Sequence, residues 1–214
     1  MTGFKQSTSL IDDVESDLVG FDHEPAIKER LQKIAFETKI YRREYRMHAQ
    51  IVELGDNRAK LNLTLEYKVK NVSPEPVEYQ HKMSCDEFEH PEFFSMSMTS
   101  VGDPQIAKRA GKMQVVIGAD SEERGVWYSC LKKVSLKPRT EYDCRTKCSV
   151  TFPRNHFFSL NTSHPTMGIR LEVDAPEGCE VFPSKTDYHD GNVWNYPRLF
   201  MTHEHISLRW KFDK

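Results

Sequence analysis

The segment Leu61–Lys70, LNLTLEYKVK, alternates apolar and polar residues without exception. The odd positions hold three leucines, a tyrosine and a valine, and the even positions hold Asn, Thr, Glu and two lysines. Period-2 alternation of this kind is typical of a β-strand that packs one face on a core and exposes the other to water. The pattern recurs in 142–152 and 206–212, so the sequence predicts an all-β protein.

Turn signals separate further candidate strands. Gly55-Asp56-Asn57 predicts a turn that joins 42–54 and 59–70 into a hairpin. Many short strands with turns between them favour an antiparallel β-sandwich, with a barrel as the alternative. The other candidate strands are 77–84, 93–99, 113–118, 125–136, 141–152, 168–174, 179–183, 192–196 and 205–212.

The first 39 residues carry a different pattern. Apolar residues recur at helical spacing in 8–20 and again in 25–38, where Pro25 suits a first helical position. We therefore expect two short amphipathic helices in an N-terminal segment, 1–39, that packs on a β-rich body, 40–214. The alternatives are that it docks onto a partner subunit or is the stub of a longer helical arrangement. A boundary between two β domains near 100–112 is a second arrangement that the sequence allows.

Composition limits the class of partner. Thirty basic and thirty-two acidic residues leave a net charge of −2, so there is no strong nucleic-acid signal. No apolar run reaches the roughly 18 residues that a membrane span needs. Met1–Ser9 has no apolar core of a signal peptide, and we expect a cytoplasmic protein whose five cysteines are free thiols.

One short sequence motif resembles a turn of a known fold. Leu136–Tyr142, LKPRTEY, resembles the turn between the last strands of fibronectin type III and related immunoglobulin-like sandwiches, on Leu136, Pro138, Thr140 and Tyr142. The resemblance covers about twenty residues around this turn. It implies a sandwich in which the Tyr142 hydroxyl bonds back to the backbone a few residues upstream, and it implies nothing about activity.

Recognisable catalytic motifs are absent from the sequence. It has no Gly-x-Ser-x-Gly elbow, no phosphate-binding Gly-x-x-x-x-Gly-Lys loop and no Gly-x-Gly-x-x-Gly fingerprint. The commonest enzyme classes are therefore disfavoured, and no organic cofactor is expected.

An arginine–tyrosine cluster is the first candidate site. In the run YRREYR over 41–46, Arg42, Arg43, Arg46 and Tyr45 offer the donors and the aromatic ring that suit a small anionic ligand. An ordinary solvated strand face is the alternative interpretation of the same residues.

Histidines supply the second candidate site. His203 and His205 are two residues apart before the last strand, and His189 and Asp187 lie on a nearby turn. A His-x-His pair with a further histidine or carboxylate can hold Zn, Mn or Fe, so a divalent metal is one hypothesis. Unliganded surface histidines are the alternative.

Adjacent aromatic residues supply the third. Phe157 and Phe158 lie in 153–166, which we predict to be a loop. An exposed aromatic there favours a protein interface, whereas two buried phenylalanines would only anchor the loop.

Together these patterns favour a non-catalytic binding or interaction module. It would act through the loops 100–112, 153–166 and 184–192 and through the N-terminal helices, with a protein partner, a second copy in an oligomer, or a small anionic ligand. The first alternative is a metal-dependent enzyme that uses His203 and His205. The second is a structural subunit of a larger assembly.

Overall fold

The computed structural model describes residues 38–81, 84–85, 90–99, 116–119, 126–129, 132–184, 186 and 188–213. Over these ranges the chain forms strands and no helix, which confirms the all-β prediction. The expected N-terminal helices and the segment 100–112 lie outside the described residues. The strands are β1 (Ile40–Leu54), β2 (Arg58–Asn71), β3 (Val77–His81), β4 (Ser84–Cys85), β5 (His90–Thr99), β6 (Val116–Ala119), β7 (Val126–Ser129), β8 (Lys132–Leu136), β9 (Glu141–Pro153), β10 (His156–Asn161), β11 (Thr166–Asp174), β12 (Cys179–Pro183), β13 (Tyr188–Asp190), β14 (Val193–Phe200) and β15 (His205–Phe212).

The largest sheet has seven strands in the order β13-β14-β11-β1-β2-β9-β5. Its centre is the predicted hairpin of β1 and β2, which the structure confirms, with Leu54 opposite Arg58. Asp56 and Asn57 of the connecting turn have φ angles of 62° and 60°. Asn and Asp tolerate this left-handed conformation better than other non-glycine residues, which is why the chain reverses here.

Two features differ from the expected architecture. β1 and β11 run parallel, from Arg42 opposite Thr166 to Gln50 opposite Asp174, so the prediction of a wholly antiparallel body is wrong for this pair. Alternation reports which face a side chain occupies and carries no information on the direction of the neighbouring strand. Among the described strands the sheets do not close into a barrel, so that alternative is also wrong.

Three smaller sheets complete the described fold. They have the orders β10-β15-β12, β3-β8 and β4-β7-β6. Inward side chains of β2 and β9 share one hydrophobic core with Ile206, Leu208, Trp210 and Phe212 of β15 and with Tyr79 of β3. Burying large apolar side chains of this kind contributes about 1.5–3 kcal/mol each, so this shared core holds the seven-stranded, β10-β15-β12 and β3-β8 sheets together.

Some strand and loop boundaries differ from the predicted ones. The segment 153–166, predicted as a loop, contains β10, and 184–192 contains the short β13. β10 was missed because Phe157, an apolar residue, occupies an outward position, so the sequence of this strand does not alternate between apolar and polar residues. The predicted strand 125–136 is divided into β7 and β8. None of the described residues forms a helix with the length and apolar character that a membrane crossing requires.

The turn after β8 is fixed by two side chains. The fully buried Tyr142 accepts a hydrogen bond from the Lys137 backbone N–H at 2.7 Å, which is the contact expected from the phrase Leu136–Tyr142. From the other side, the Asn71 amide donates to the carbonyl oxygens of Glu75, Leu136 and Lys137. Because both groups are buried or nearly so, the crossing between β8 and β9 is tightly specified.

Replacing Tyr142 by Phe removes the acceptor for the Lys137 N–H and keeps the ring. A buried or half-buried donor without its partner costs about 1–2 kcal/mol, so we expect Tyr142→Phe to lower the free energy of unfolding by that amount in urea titrations. Tyr188→Phe, on an exposed tyrosine of β13, is the matched control and is expected to change stability by less than about 0.5 kcal/mol. Equal stability of the two variants would contradict the role given to Tyr142.

Candidate functional site

The predicted arginine–tyrosine cluster divides between the two faces of β1. A β-bulge lies between Arg43 and Arg46, where the pairing with β2 shifts by one residue. Glu44, inside the bulge, has a left-handed φ of 52°. A bulge places two residues of one strand opposite one residue of its partner and so reverses the alternation beyond it. Arg42 and Tyr45 therefore share the buried face, and Arg43 and Arg46 share the outer face.

Arg42 lies in the interior among aromatic side chains, with 3% of its surface exposed. Its Nη2 donates to the Tyr79 hydroxyl at 2.9 Å and to Ser163 Oγ at 3.0 Å. The guanidinium carbon lies 5.1 Å from the ring centre of Tyr67 and 5.6 Å from that of Tyr79. Tyr45 stacks on Tyr67 with ring centres 4.9 Å apart. Four side chains thus enclose the guanidinium or stack beside it.

Among the described residues, no carboxylate forms an ion pair with Arg42. Burial alone lowers its pKa, but the electrostatic effect of Tyr79, Tyr67 and Tyr45 outweighs burial, and the net pKa lies above the ordinary value. No ion pair among the described residues includes Arg42, and its Nε has no hydrogen-bond partner. Cation–π attraction to the faces of the tyrosine rings stabilises the guanidinium. This attraction is stronger in the desolvated interior than at a surface.

His164 lies beside the same cluster. Its ring centre is 5.3 Å from that of Tyr79. Burial, and then the positive charge of Arg42, lower the pKa of His164 to about 4. At neutral pH the ring is therefore uncharged, and the cluster carries one positive charge.

On the outer face Arg43 and Arg46 differ in their surroundings. Arg43 Nε lies 2.6 Å from Glu141 Oε2 in an ion pair. Arg46 is exposed and sits directly opposite Arg170 in the parallel register of β1 and β11. Neither Arg46 nor Arg170 forms an ion pair with any described residue. Two like charges on adjacent strands repel each other, and Glu66, which lies opposite Arg46 on β2, forms its ion pair with Arg145.

A groove runs over this arginine pair. It has a volume of about 430 Å³ and is lined by Arg46, Arg170 and Arg145 together with His48, Glu66 and Glu172. Arg145 is already paired with Glu66 at 3.1 Å. Sequence reasoning missed Arg170 because it depends on the parallel pairing of β11, for which the sequence holds no signal.

Phe157 and Phe158 point to opposite faces of β10, as neighbouring residues on a strand do. Phe158 is partly buried and packs on the core, whereas Phe157 points outward with 55% exposure. Phe157 lies opposite Arg209 of β15, and Arg209 lies opposite Phe182 of β12. Phe182 is itself 48% exposed. The outer face of the β10–β15–β12 sheet therefore carries a Phe157–Arg209–Phe182 row.

Basic residues lie around this row, and a groove borders it on one side. A groove of about 500 Å³ beside Phe157 is lined by residues that include Ser207, Arg209 and Lys211. Sequence reasoning missed Phe182 and Arg209. The signal was present in principle, since Phe182 breaks the apolar–polar alternation of its strand as Phe157 does, but only the register shows that the two flank one arginine.

The structure describes three of the four predicted metal ligands, His203, His205 and His189. His203 is an exposed turn residue with a φ of 72°, and its backbone N–H donates to Thr162 O at 2.7 Å. His205 begins β15 and is exposed. His189 lies on β13 with its ring 5.6 Å from that of Trp194. Asp187 lies outside the described residues.

Metal-ligating side chains do converge elsewhere. Within the described part of the chain, His48, Glu172 and Asp174 are the group whose ligand atoms all lie within 4.8 Å of one another. The histidines that the sequence singled out do not belong to a group of three in the described ranges.

Comparisons with known proteins give fold likeness only. No family model and no curated protein matches the sequence. A candidate nutrient binding protein from Legionella pneumophila is 10% identical with a TM-score of 0.46, over 80% of this chain and 67% of that one. Yeast LTA4 hydrolase is 7% identical with a TM-score of 0.40, and an M1 zinc metallopeptidase from Deinococcus radiodurans is 10% identical with a TM-score of 0.34.

The two enzymes are much longer than the matched region. This chain spans 28% of the length of the yeast hydrolase and 43% of the length of the metallopeptidase. All three TM-scores are low, and these likenesses indicate nothing about what the present chain binds or catalyses.

The buried His164 makes stability depend on pH. Its folded pKa of about 4 lies below the ordinary 6.5, so the unfolded chain binds more protons between these values and stability falls as pH is lowered through them. Between pH 7 and pH 5 this loss amounts to about 2 kcal/mol. In urea titrations at the two pH values, His164→Gln is expected to lose that much less stability than the unmodified protein. His205→Gln, on an exposed histidine of β15, is the control and should retain the full dependence.

Proposed function

We propose that this chain is a protein-interaction module whose contact surface is the outer face of the β10–β15–β12 sheet. The observation that carries the proposal is the Phe157–Arg209–Phe182 row. Two large aromatic side chains, 55% and 48% exposed, flank one exposed arginine in directly paired positions. Aromatic residues and arginine are the types enriched at the centres of protein interfaces.

Burial energies explain why such a row favours a partner. Fully burying a phenylalanine side chain is worth about 1.5–3 kcal/mol, and about half of that remains unused at each of Phe157 and Phe182. A single exposed apolar residue is ordinary, but adjacent ones in register form a patch, and such patches mark binding surfaces.

The charge around the row indicates the chemistry of the partner. Of the outward residues on β15, Arg209 and Lys211 are basic and exposed, and Glu180 of β12 is the acidic residue opposite Lys211. Complementary charge favours a partner segment with acidic residues next to leucine, phenylalanine or tryptophan. Such a segment would cover both phenylalanines and pair with Arg209. Self-association through the same face, and contacts by the N-terminal segment and the loops, are further forms of the same proposal.

Peptide selection tests this surface directly. We expect a random peptide display library, selected on the full chain, to enrich acidic sequences that carry large apolar residues. A synthetic peptide from that pool should lose at least tenfold in affinity, by calorimetry, on Phe157→Ser, Phe182→Ser or Arg209→Glu. These side chains are exposed, so the melting temperatures of the variants should stay close to that of the unmodified protein.

Tyr188→Ser is the matched control, because Tyr188 is 61% exposed but lies on the seven-stranded sheet. It should leave the affinity unchanged. Equal affinity of all four variants, or enrichment of basic peptides, would overturn the proposed surface. Concentration-dependent mass in light scattering, lost in Phe157→Ser, would identify a second copy as the occupant.

A second function is favoured by the Arg46–Arg170 pair. Two arginines at paired positions, which form no ion pair with any described residue and line one groove of about 430 Å³, suit a small phosphate-like anion. This proposal keeps the anionic ligand expected from the sequence and replaces much of its predicted site. Arg46 stays in it and Arg170 is added, whereas Arg42 and Tyr45 lie in the interior.

Inorganic phosphate is the probe for that site. At matched ionic strength, phosphate at ten times its Kd is expected to raise the melting temperature about 3 °C more than chloride does. The excess should vanish in Arg46→Gln and in Arg170→Gln and persist in Arg58→Gln, which removes an exposed arginine near a turn. An equal rise in all four proteins would show general salt stabilisation and exclude the site.

We also propose that the chain is a sandwich similar to immunoglobulin-like domains and that it is cytoplasmic. The core shared by the seven-stranded sheet and β15 supports a sandwich, and the Tyr142–Lys137 contact supports the resemblance to immunoglobulin-like domains. Cys144, Cys148 and Cys179, the cysteines whose side chains the structure describes, form no disulfide, which supports a cytoplasmic location. A metal-dependent enzyme using His203 and His205, and a structural subunit, remain the alternatives.

A further inference from the structure

We propose that His48, Glu172 and Asp174 form a binding site for a divalent transition-metal ion on the outer face of the seven-stranded sheet. The parallel register places His48 of β1 opposite Glu172 of β11, and Asp174 follows two residues later on the same face. This site is independent of the Phe157–Arg209–Phe182 row, which lies on another sheet.

The distances suit one ion. His48 Nε2 lies 2.8 Å from Asp174 Oδ2, and a carboxylate oxygen of Glu172 completes a set within 4.8 Å. Zn–N and Zn–O bonds of about 2.0–2.2 Å place neighbouring ligand atoms about 3.0–3.5 Å apart at angles of 90–110°. The His48–Asp174 pair therefore needs to open by a few tenths of an ångström, and the Glu172 oxygen, which lies within 4.8 Å of both, needs to approach by up to about 1.8 Å. Rotation of these side chains can supply both movements.

A hydrogen bond from a third element orients one ligand. Asn192 Nδ2 donates to Asp174 Oδ1 at 3.2 Å, and the backbone carbonyl of Asn192 accepts from the N–H of Val173 at 3.0 Å. Asp174 is thus held by one oxygen, and the other, Oδ2, faces His48. Partners of this kind fix the orientation of metal-binding carboxylates and contribute to affinity.

The donor set selects the class of ion. One imidazole nitrogen and two carboxylates suit Zn²⁺ or Mn²⁺ better than Ca²⁺ or Mg²⁺, which prefer oxygen ligands alone. Three protein ligands at an exposed position leave coordination sites for water or for an anion. His48 and Glu172 also line the groove that contains Arg46 and Arg170, so an anion bound to the ion would lie near two guanidinium groups.

Zinc titration of the full, reduced chain is the experiment. By calorimetry we expect one Zn²⁺ per chain at this site and a loss of at least tenfold in affinity in His48→Ala and in Asp174→Asn. Glu172→Gln should behave like them, and Asn192→Ala should weaken binding by a smaller factor, since it acts through Asp174. Thermal melting of each variant without metal checks that these surface changes leave the fold intact.

The control separates this site from the other histidines and from the thiols. His203→Ala/His205→Ala is expected to bind Zn²⁺ as the unmodified protein does, and the Co²⁺ complex should show no thiolate charge-transfer band. Unchanged affinity in His48→Ala, loss of binding in the His203/His205 double variant, or a thiolate band would each overturn the assignment. Absence of any binding at 1 mM Zn²⁺ would reduce the cluster to a His48–Asp174 ion pair.

Discussion

The bulge at Glu44 decides which side chains lie on which face of the central strand. Residues beyond it follow the alternation of Tyr45, Met47, Ala49 and Ile51, all buried. Carried backward without a shift, that alternation would place Arg42 in water and Arg43 in the core. The extra residue instead brings Arg42 and Tyr45 to one side and Arg43 and Arg46 to the other. The interior cluster and the outer groove both depend on this one irregularity.

Inside, the consequence is a buried cation stabilised by aromatic rings. Desolvating a lone guanidinium is costly, and Arg42 offsets this cost through Tyr79 and Ser163 as acceptors and through the ring faces of Tyr67 and Tyr79. Its Nε nevertheless keeps no partner. Arg42 therefore specifies how β1, β3 and the turn at Ser163 fit together, and its charge adds to the burial that lowers the pKa of the nearby His164.

How far the sequence predicts this structure depends on the kind of information that alternation holds. Alternation predicts the position and inward face of β2, β9 and β15, because each of these strands has one solvent-exposed face and one buried face. It does not predict that β11 pairs in parallel with β1, since direction leaves no trace in the period. Arg170, Glu172 and Asp174 come beside Arg46 and His48 through that pairing alone, so no spacing in the sequence could have joined them. His203 and His205 show the converse, because they are close in the sequence and yet belong to no group of three metal-ligating residues in the described ranges.

The two outer surfaces differ in what the fold requires of them. Leu61, Leu63 and their neighbours form the core from the inner face of the seven-stranded sheet, and Leu208 and Trp210 from the inner face of the β10–β15–β12 sheet. The outward residues of both sheets contribute little to that core, which leaves them able to change without unfolding the protein. The exposed Phe157 and Phe182 add little to that core, and the paired positions of Arg46 and Arg170 place like charges on adjacent strands, which opposes folding slightly. The proposed protein contact surface rests on the two phenylalanines, and the proposed anion site rests on the two arginines.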